Sequence, residues 1–106
     1  MEVSEPWYTF LCSGEKKVEG RKKSPKWANV KVGQFLMLSC ENRSCWMLIT
    51  AIREYPSLGE YLLTEGVSNC LPGIHDFNEA IDIYKQWSTE EELAKYPFLA
   101  IELWQY

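Results

Sequence analysis

Between residues 57 and 97 three helix-start signals follow one another, each a side-chain acceptor with a glutamate three positions later: Ser57-x-x-Glu60, Asp76-x-x-Glu79 and Ser88-x-x-Glu91. The acceptor takes an N–H that the first helical turn leaves unpaired, and the glutamate suits the positive end of the new helix. The first of these helices runs through about Glu65 and ends at Gly66. The second carries an apolar face of Ala80, Ile83 and Tyr84, and the third is stopped by Pro97, which lacks the N–H to continue it. A block of consecutive helices set between strand-like segments does not suit strictly alternating β/α architecture. It suggests an α+β fold.

The flanking segments supply the strands. Ser4-Glu5-Pro6 before Trp7, Phe10 and Leu11 reads as the start of a short helix, with Ser4 as its cap and Gly14 ending it in a left-handed turn. Residues 16–21 read as extended, 22–29 as a loop containing Ser24-Pro25, and 31–34 as a turn. Strands are expected at 35–40 and 45–53, joined by the polar connection 41–44. The last strand, 98–104, places Phe98, Ala100, Glu102 and Trp104 on one face and Leu99, Ile101 and Leu103 on the other. Strands from both ends of the chain are therefore expected to meet in one small curved sheet or barrel covered by the three helices. Trp7, Trp46, Trp87 and Trp104 sit on apolar faces and are expected in the core. Tyr55, Tyr61 and Tyr84 are expected in the core or at its rim.

One domain over residues 1–106 accounts for the length. With 46% apolar and 25% charged residues, the composition excludes disorder, collagen and coiled coil. The longest apolar runs, 35–38 and 45–49, fall far short of the ~20 residues of a membrane helix. The acidic start, Met1 to Glu5, has no apolar signal core, so a cytoplasmic location is expected. Cysteines stand at 12, 40, 45 and 70 with no C-x-x-C pair, and the one histidine, His75, stands alone. Neither a metal site nor a cofactor is expected, and the thiols are expected to be reduced.

Net charge is −4, but its distribution is uneven. Lys16, Lys17, Arg21, Lys22, Lys23, Lys26 and Lys31 give residues 14–31 a local +5 against Glu15 and Glu19. Residues 60–106 carry −7. A basic focus beside an acidic remainder suggests one face that attracts an anion. Trp27, among these lysines, can either stack a base or pin the loop to the body of the domain.

Within this segment Gly14-x-Lys16-x-x-Glu19-x-Arg21 sets a sharp turn before a strand. In a strand Glu19 and Arg21 point to the same face, with Lys16 leaning over it. A carboxylate between two cations is held ionised, and an arginine fork can grip phosphate or carboxylate in two places. The spacing matches the GxKxxExR signature of the ASCH domain family, a branch of the PUA-like superfamily of small β-barrels. Downstream, Val30 to Gly33, Leu71-Pro72-Gly73, Glu79-Ala80 with Ile83-Tyr84, Glu90 to Glu92 and Ala100 to Glu102 are similar to stand-alone members of that family. The likeness runs from about Val3 to Leu103. Two departures, Gly33-Gln34 in place of Gly-Asp and Pro97-Phe98 in place of a glycine before the last strand, lie outside the motif.

The resemblance implies a PUA-like barrel with an N-terminal helix and helices inserted before the last strand. It also implies binding of RNA, another single-stranded nucleic acid or a nucleotide in a cleft floored by Lys16, Glu19 and Arg21. Lys17, Lys22, Lys23, Lys26 and Trp27 would flank that cleft. Some small bacterial members of the family are amidohydrolases that remove the acetyl group from N4-acetylcytidine with the motif lysine, a threonine and a distant glutamate. Lys16 matches the lysine, the threonine falls at Glu19, and Glu65 or Glu79 would be the glutamate. In an enzyme of this kind Lys16 would stabilise an oxyanion and Glu19 would activate water. A ribonuclease using Lys16 and a nearby tyrosine is a further possibility within the family. A module whose basic loop docks on an acidic protein is the third class.

Overall fold

The computed structural model describes all of residues 1–106. Helix α1 (Trp7–Ser13) leads into strand β1 (Val18–Lys22). Strands β2 (Phe35–Cys40) and β3 (Arg43–Tyr55) form a hairpin. Helices α2 (Leu58–Glu65), α3 (Val67–Cys70), α4 (Phe77–Tyr84) and α5 (Glu90–Lys95) then precede the last strand, β4 (Phe98–Gln105). All strand pairings are antiparallel, in the order β1-β4-β3-β2, so the last strand joins the first to the hairpin. The sheet curls into an open half-barrel, and the fold is α+β as the helix-start pattern implied. No helix is long and apolar enough to cross a membrane.

Both faces of β4 are covered at its start, where Phe98, Leu99, Ala100 and Ile101 are all buried. On one face the Phe98 ring meets Tyr61 of α2 at 4.8 Å and Tyr84 of α4 at 5.6 Å, and the two tyrosine hydroxyls share a hydrogen bond of 3.0 Å. The opposite face, with Leu99, Ile101 and Leu103, belongs to the interior of the curl, where α1 packs through Trp7 and Leu11. On the far side of the helices, Arg53 on β3 grips the Glu65 carboxylate with two hydrogen bonds, 2.7 and 2.9 Å, and the Tyr55 hydroxyl donates to the same group. That clamp ties the end of α2 to the sheet and holds the Glu65 carboxyl below its ordinary range.

Several expectations need correction at the level of single residues. The third helix starts one position later, because Thr89 and Glu92 make the reciprocal capping box while Ser88 stands outside it. Ser4 does not cap α1. The Glu5 carboxylate instead accepts from the Thr9 N–H at 2.9 Å and the Thr9 hydroxyl at 2.6 Å. The hairpin is tighter than expected, because β3 begins at Arg43 and Glu41 takes the left-handed turn position at φ 55°. Helix α3 had no periodic signal, being a single turn held by the backbone after Gly66. Of the four tryptophans expected in the core only Trp7 is buried, whereas Trp46, Trp87 and Trp104 are exposed. Trp46 and Trp104 lie on a sheet face that no helix covers at that end, and Trp87 lies beyond the end of α4.

Gly20, in the middle of β1, is required by close approach. A Cβ there would lie 2.6 Å from the Tyr61 hydroxyl oxygen and 2.7 Å from a Phe98 ring carbon. Gly20→Ala is therefore expected to destabilise the fold by about 1–3 kcal/mol, the usual scale of overpacking. Urea denaturation monitored by circular dichroism checks this, and an unchanged midpoint would contradict the packing described.

Candidate functional site

Gly14, at φ 86°, closes α1 and returns the chain so sharply that the Lys16 N–H bonds the Phe10 carbonyl at 3.0 Å. This turn sends the Lys16 side chain inward rather than into solvent, and the residue is 1% exposed. Its ammonium donates to the Val18 carbonyl at 2.6 Å and to the Cys70 carbonyl, and it lies 3.5 Å from a Glu19 carboxylate oxygen. Two carbonyls thus take hydrogen bonds from the ammonium, and the Glu19 carboxylate supplies the counter-charge. Burial pulls the Lys16 pKa down, and the Glu19 charge works against that shift.

Glu19 is itself buried, and its second oxygen accepts from the Arg21 guanidinium at 2.8 Å. Strand parity puts Glu19 and Arg21 on one face of β1, and the turn after α1 brings Lys16 to them, so that the three form one chain of charges, +−+. Arg21 also donates to the Glu2 backbone carbonyl at 3.1 Å and stacks over Trp27, 5.6 Å from the ring centroid. Its Nε is buried and makes no hydrogen bond.

These residues open into a cleft of about 780 Å³ along β1, an edge strand that contributes from both its faces. That volume lies in the range of small-molecule pockets. Lys16, Arg21, Lys22 and Lys26 line the cleft, and so do Glu2, Glu5, Glu19 and Glu41. The formal charges cancel. Lys22 is moreover paired with Glu92 at 3.1 Å. The cleft is a balanced array of donors and acceptors rather than a polyanion channel.

Of the positions singled out in the sequence, Lys16, Glu19, Arg21, Lys22, Lys26 and Trp27 come together there. Lys17 and Lys23 do not. Lys17 is exposed outside the cleft, and Lys23 pairs with Glu54 at 2.6 Å. Trp27 packs partly buried against the core and carries Arg21 and Lys26 against its ring, the latter at 5.9 Å. Glu65 is held by Arg53 and Tyr55, Glu79 is exposed on α4, and neither lines the cleft. His75 is exposed in the loop before α4. No three His, Cys, Asp or Glu side chains gather to hold a metal ion. The four cysteines are free, with burial pushing the Cys12 thiol up to about 11 and the Cys70 thiol upward as well.

Trp87 was missed as a site residue. It is 45% exposed, stands edge-on to Tyr84 at 5.6 Å and lines the cleft. The signal available was its place: it falls after the apolar periodicity of α4 ends and just before the next helix start. The acidic wall of Glu2, Glu5 and Glu41 was equally illegible, because those residues are distant from the motif in sequence.

A model of the ASCH domain matches residues 1–104 of the chain. The crystal structure of the hypothetical protein PH0355 superposes with a TM-score of 0.85 at 30% identity, covering 100% of each chain. The solution structure of protein PF0455 from Pyrococcus furiosus gives 0.79 at 31% identity, covering 99% of this chain and 97% of that one. A search of curated proteins found no match.

Removing the Glu19 charge tests the buried array. Glu19→Gln leaves the Lys16 ammonium buried beside Arg21 with no counter-charge, at an expected cost of about 3–5 kcal/mol. Without Glu19 the Lys16 pKa falls further in the folded state. Between that value and the ordinary lysine value the unfolded chain binds more protons, so the variant's stability is expected to rise with pH through this window. Chemical denaturation across neutral and alkaline pH measures both effects; a variant as stable as the parent with a parallel pH profile would refute them.

Proposed function

Because the chain belongs to the ASCH domain family, we propose that it binds RNA, with one unstacked nucleotide of a single strand entering the cleft along β1. Members of the family are commonly thought to bind RNA. The observation that carries the reading is the Glu19 carboxylate and the Arg21 guanidinium set side by side, 2.8 Å apart, in a cleft whose charges cancel. A nucleobase edge offers both acceptors and donors to such a pair, whereas a bare polyphosphate would meet four carboxylates. Trp87 offers a ring on which a base can stack. Lys22 and Lys26 at the rim are placed for flanking phosphates, with Lys22 exchanging Glu92 for the ligand.

Holding a base suits this geometry better than attacking one. As a hydrolase the site would ask Lys16 to stabilise an oxyanion, and the Lys16 ammonium is already held by the Val18 and Cys70 carbonyls and neutralised by Glu19. It would also ask for a distant glutamate, and Glu65 and Glu79 lie elsewhere. Lys16 is a positioning residue for Glu19, and Glu19 and Arg21 are the groups that meet the ligand.

Fluorescence anisotropy with labelled single-stranded RNA tests the proposal. With two or three phosphate contacts at ~0.7 each, the log–log salt slope is expected to be about −1.5 to −2. Trp87→Ala should weaken binding by about 1–3 kcal/mol at an unchanged slope, and Lys26→Ala should flatten the slope by about 0.7 without changing base preference. Arg21→Lys keeps the charge but loses the fork, and should cost on the order of 1–3 kcal/mol. If the parent binds RNA and all three variants bind like it, the cleft is not the site; if the parent does not bind, the RNA reading fails.

A further inference from the structure

The end of the sheet that no helix covers carries a continuous apolar surface. Register places Phe35 of β2, Leu48 of β3 and Trp104 of β4 side by side, with Met37 beside Trp46 in the adjoining row. Tyr106 hydrogen-bonds the Trp46 carbonyl and stands edge-on to Phe35, 5.0 Å between ring centroids. On β4 this is the face that carries Phe98, which α2 and α4 cover at the other end. The register shift at Ile49/Ala51 in β3 lies between the covered half and the bare half. We infer that the bare half is where a second copy of this chain packs, face to face, to form a homodimer.

Size is the first argument. Trp104 is 66% exposed, Tyr106 84%, Trp46 53%, Phe35 49% and Met37 47%. At ~200 Å² per aromatic side chain these fractions leave roughly 500–600 Å² of surface, the upper end of what a monomer shows. Two such faces together remove more than about 1,000 Å² from water, the threshold for a specific interface. Charge is the second argument. None of the six side chains is ionised. At the patch boundary Arg53 and Glu102 lie 3.6 Å apart and face each other, and the Met1 ammonium donates to the Met37 carbonyl at 2.9 Å. A nucleic acid laid across these rings would find stacking partners but no cationic side chain among them, whereas a copy of the same face buries no charged side chain. The third argument fixes the geometry. Residues 1–3 lie along the outer edge of β2, with the Val3 N–H on the Ser39 carbonyl at 3.0 Å and the Ser39 N–H on the Met1 carbonyl at 2.9 Å. Strand addition at that edge is blocked there, and the sheet face is the surface left for an isologous twofold contact. None of the six residues lines the cleft, so both clefts stay open in the dimer.

Sedimentation equilibrium on the full chain from about 1 to about 200 µM tests the inference, since a dimer depends on concentration by mass action. The weight-average mass should climb from the 12.4 kDa monomer towards twice that value. Added salt should not weaken the association, because no ion pair holds it. Met37→Lys and Trp104→Lys, both at exposed positions, should each weaken dimerisation at least tenfold while the melting curve of the monomer is preserved. In the parent, acrylamide quenching of tryptophan fluorescence should fall as concentration rises, a readout that needs no variant. The inference is overturned by a mass of 12.4 kDa at every concentration, or by self-association that survives both substitutions. It is also overturned if the parent stays monomeric and Trp104→Lys abolishes binding of single-stranded RNA, which would make the face a stacking platform.

Discussion

The Lys16 ammonium is the point on which the site depends. It joins two parts of the chain far apart in sequence: the Cys70 carbonyl at the end of α3, and β1 through the Val18 carbonyl and the Glu19 carboxylate. A charge so deeply placed is tolerable only while each donor is met, so the neighbouring backbone has little freedom to move. The order imposed on Glu19 passes on to Arg21, whose guanidinium is held by Glu19 on one side and lies over Trp27 on another. An N–H of that guanidinium is left without a partner. The result is a preorganised pair, acceptor beside donor, facing a cleft of molecular size.

The helices contribute to this site at one remove. Tyr61 and Tyr84 pack on Phe98 of β4 so closely that the neighbouring β1 has room only for a glycine at position 20. The edge strand is thereby kept flush with the sheet. Beyond Tyr84 the chain leaves α4 and sets Trp87 at the cleft wall, and the capping box of Thr89 and Glu92 then starts α5. Glu92 serves twice, since its carboxylate also pairs with Lys22 at the cleft rim. A residue that reads in sequence as a helix-start signal is, in space, part of the electrostatic frame of the site.

The cleft and the bare aromatic face divide the molecule into two surfaces of different character. One is a concave mixture of charges that cancel; the other is apolar, uncharged and pleated. The half-barrel separates them because, on the face that carries Phe98, only one end receives helices, and the bulge in β3 falls at the boundary. The first surface suits a polar ligand that makes directional contacts, and the second suits close packing against a complementary shape.

What was legible in the sequence follows from local physics. Strand faces and helix starts depend on residues two to four positions apart. The hairpin of β2 and β3, the stop at Pro97, the turn at Gly14 and the shared face of Glu19 and Arg21 were therefore all readable without a structure. The GxKxxExR spacing carried the family as well. Tertiary structure alone decided what each face meets. Lys16 reads as a surface cation until the turn after α1 drives it against Val18 and Cys70, the latter far along the chain. Lys23 and Lys22 read as free cations until folding brings Glu54 and Glu92 to them. Trp46, Trp87 and Trp104 read as core because an apolar face implies a cover, and periodicity does not say whether the cover is a helix of the same chain. Burial and pairing depend on contacts between residues distant in sequence. The pattern of a strand or helix specifies which side chains share a face, and only the packed fold specifies what lies opposite.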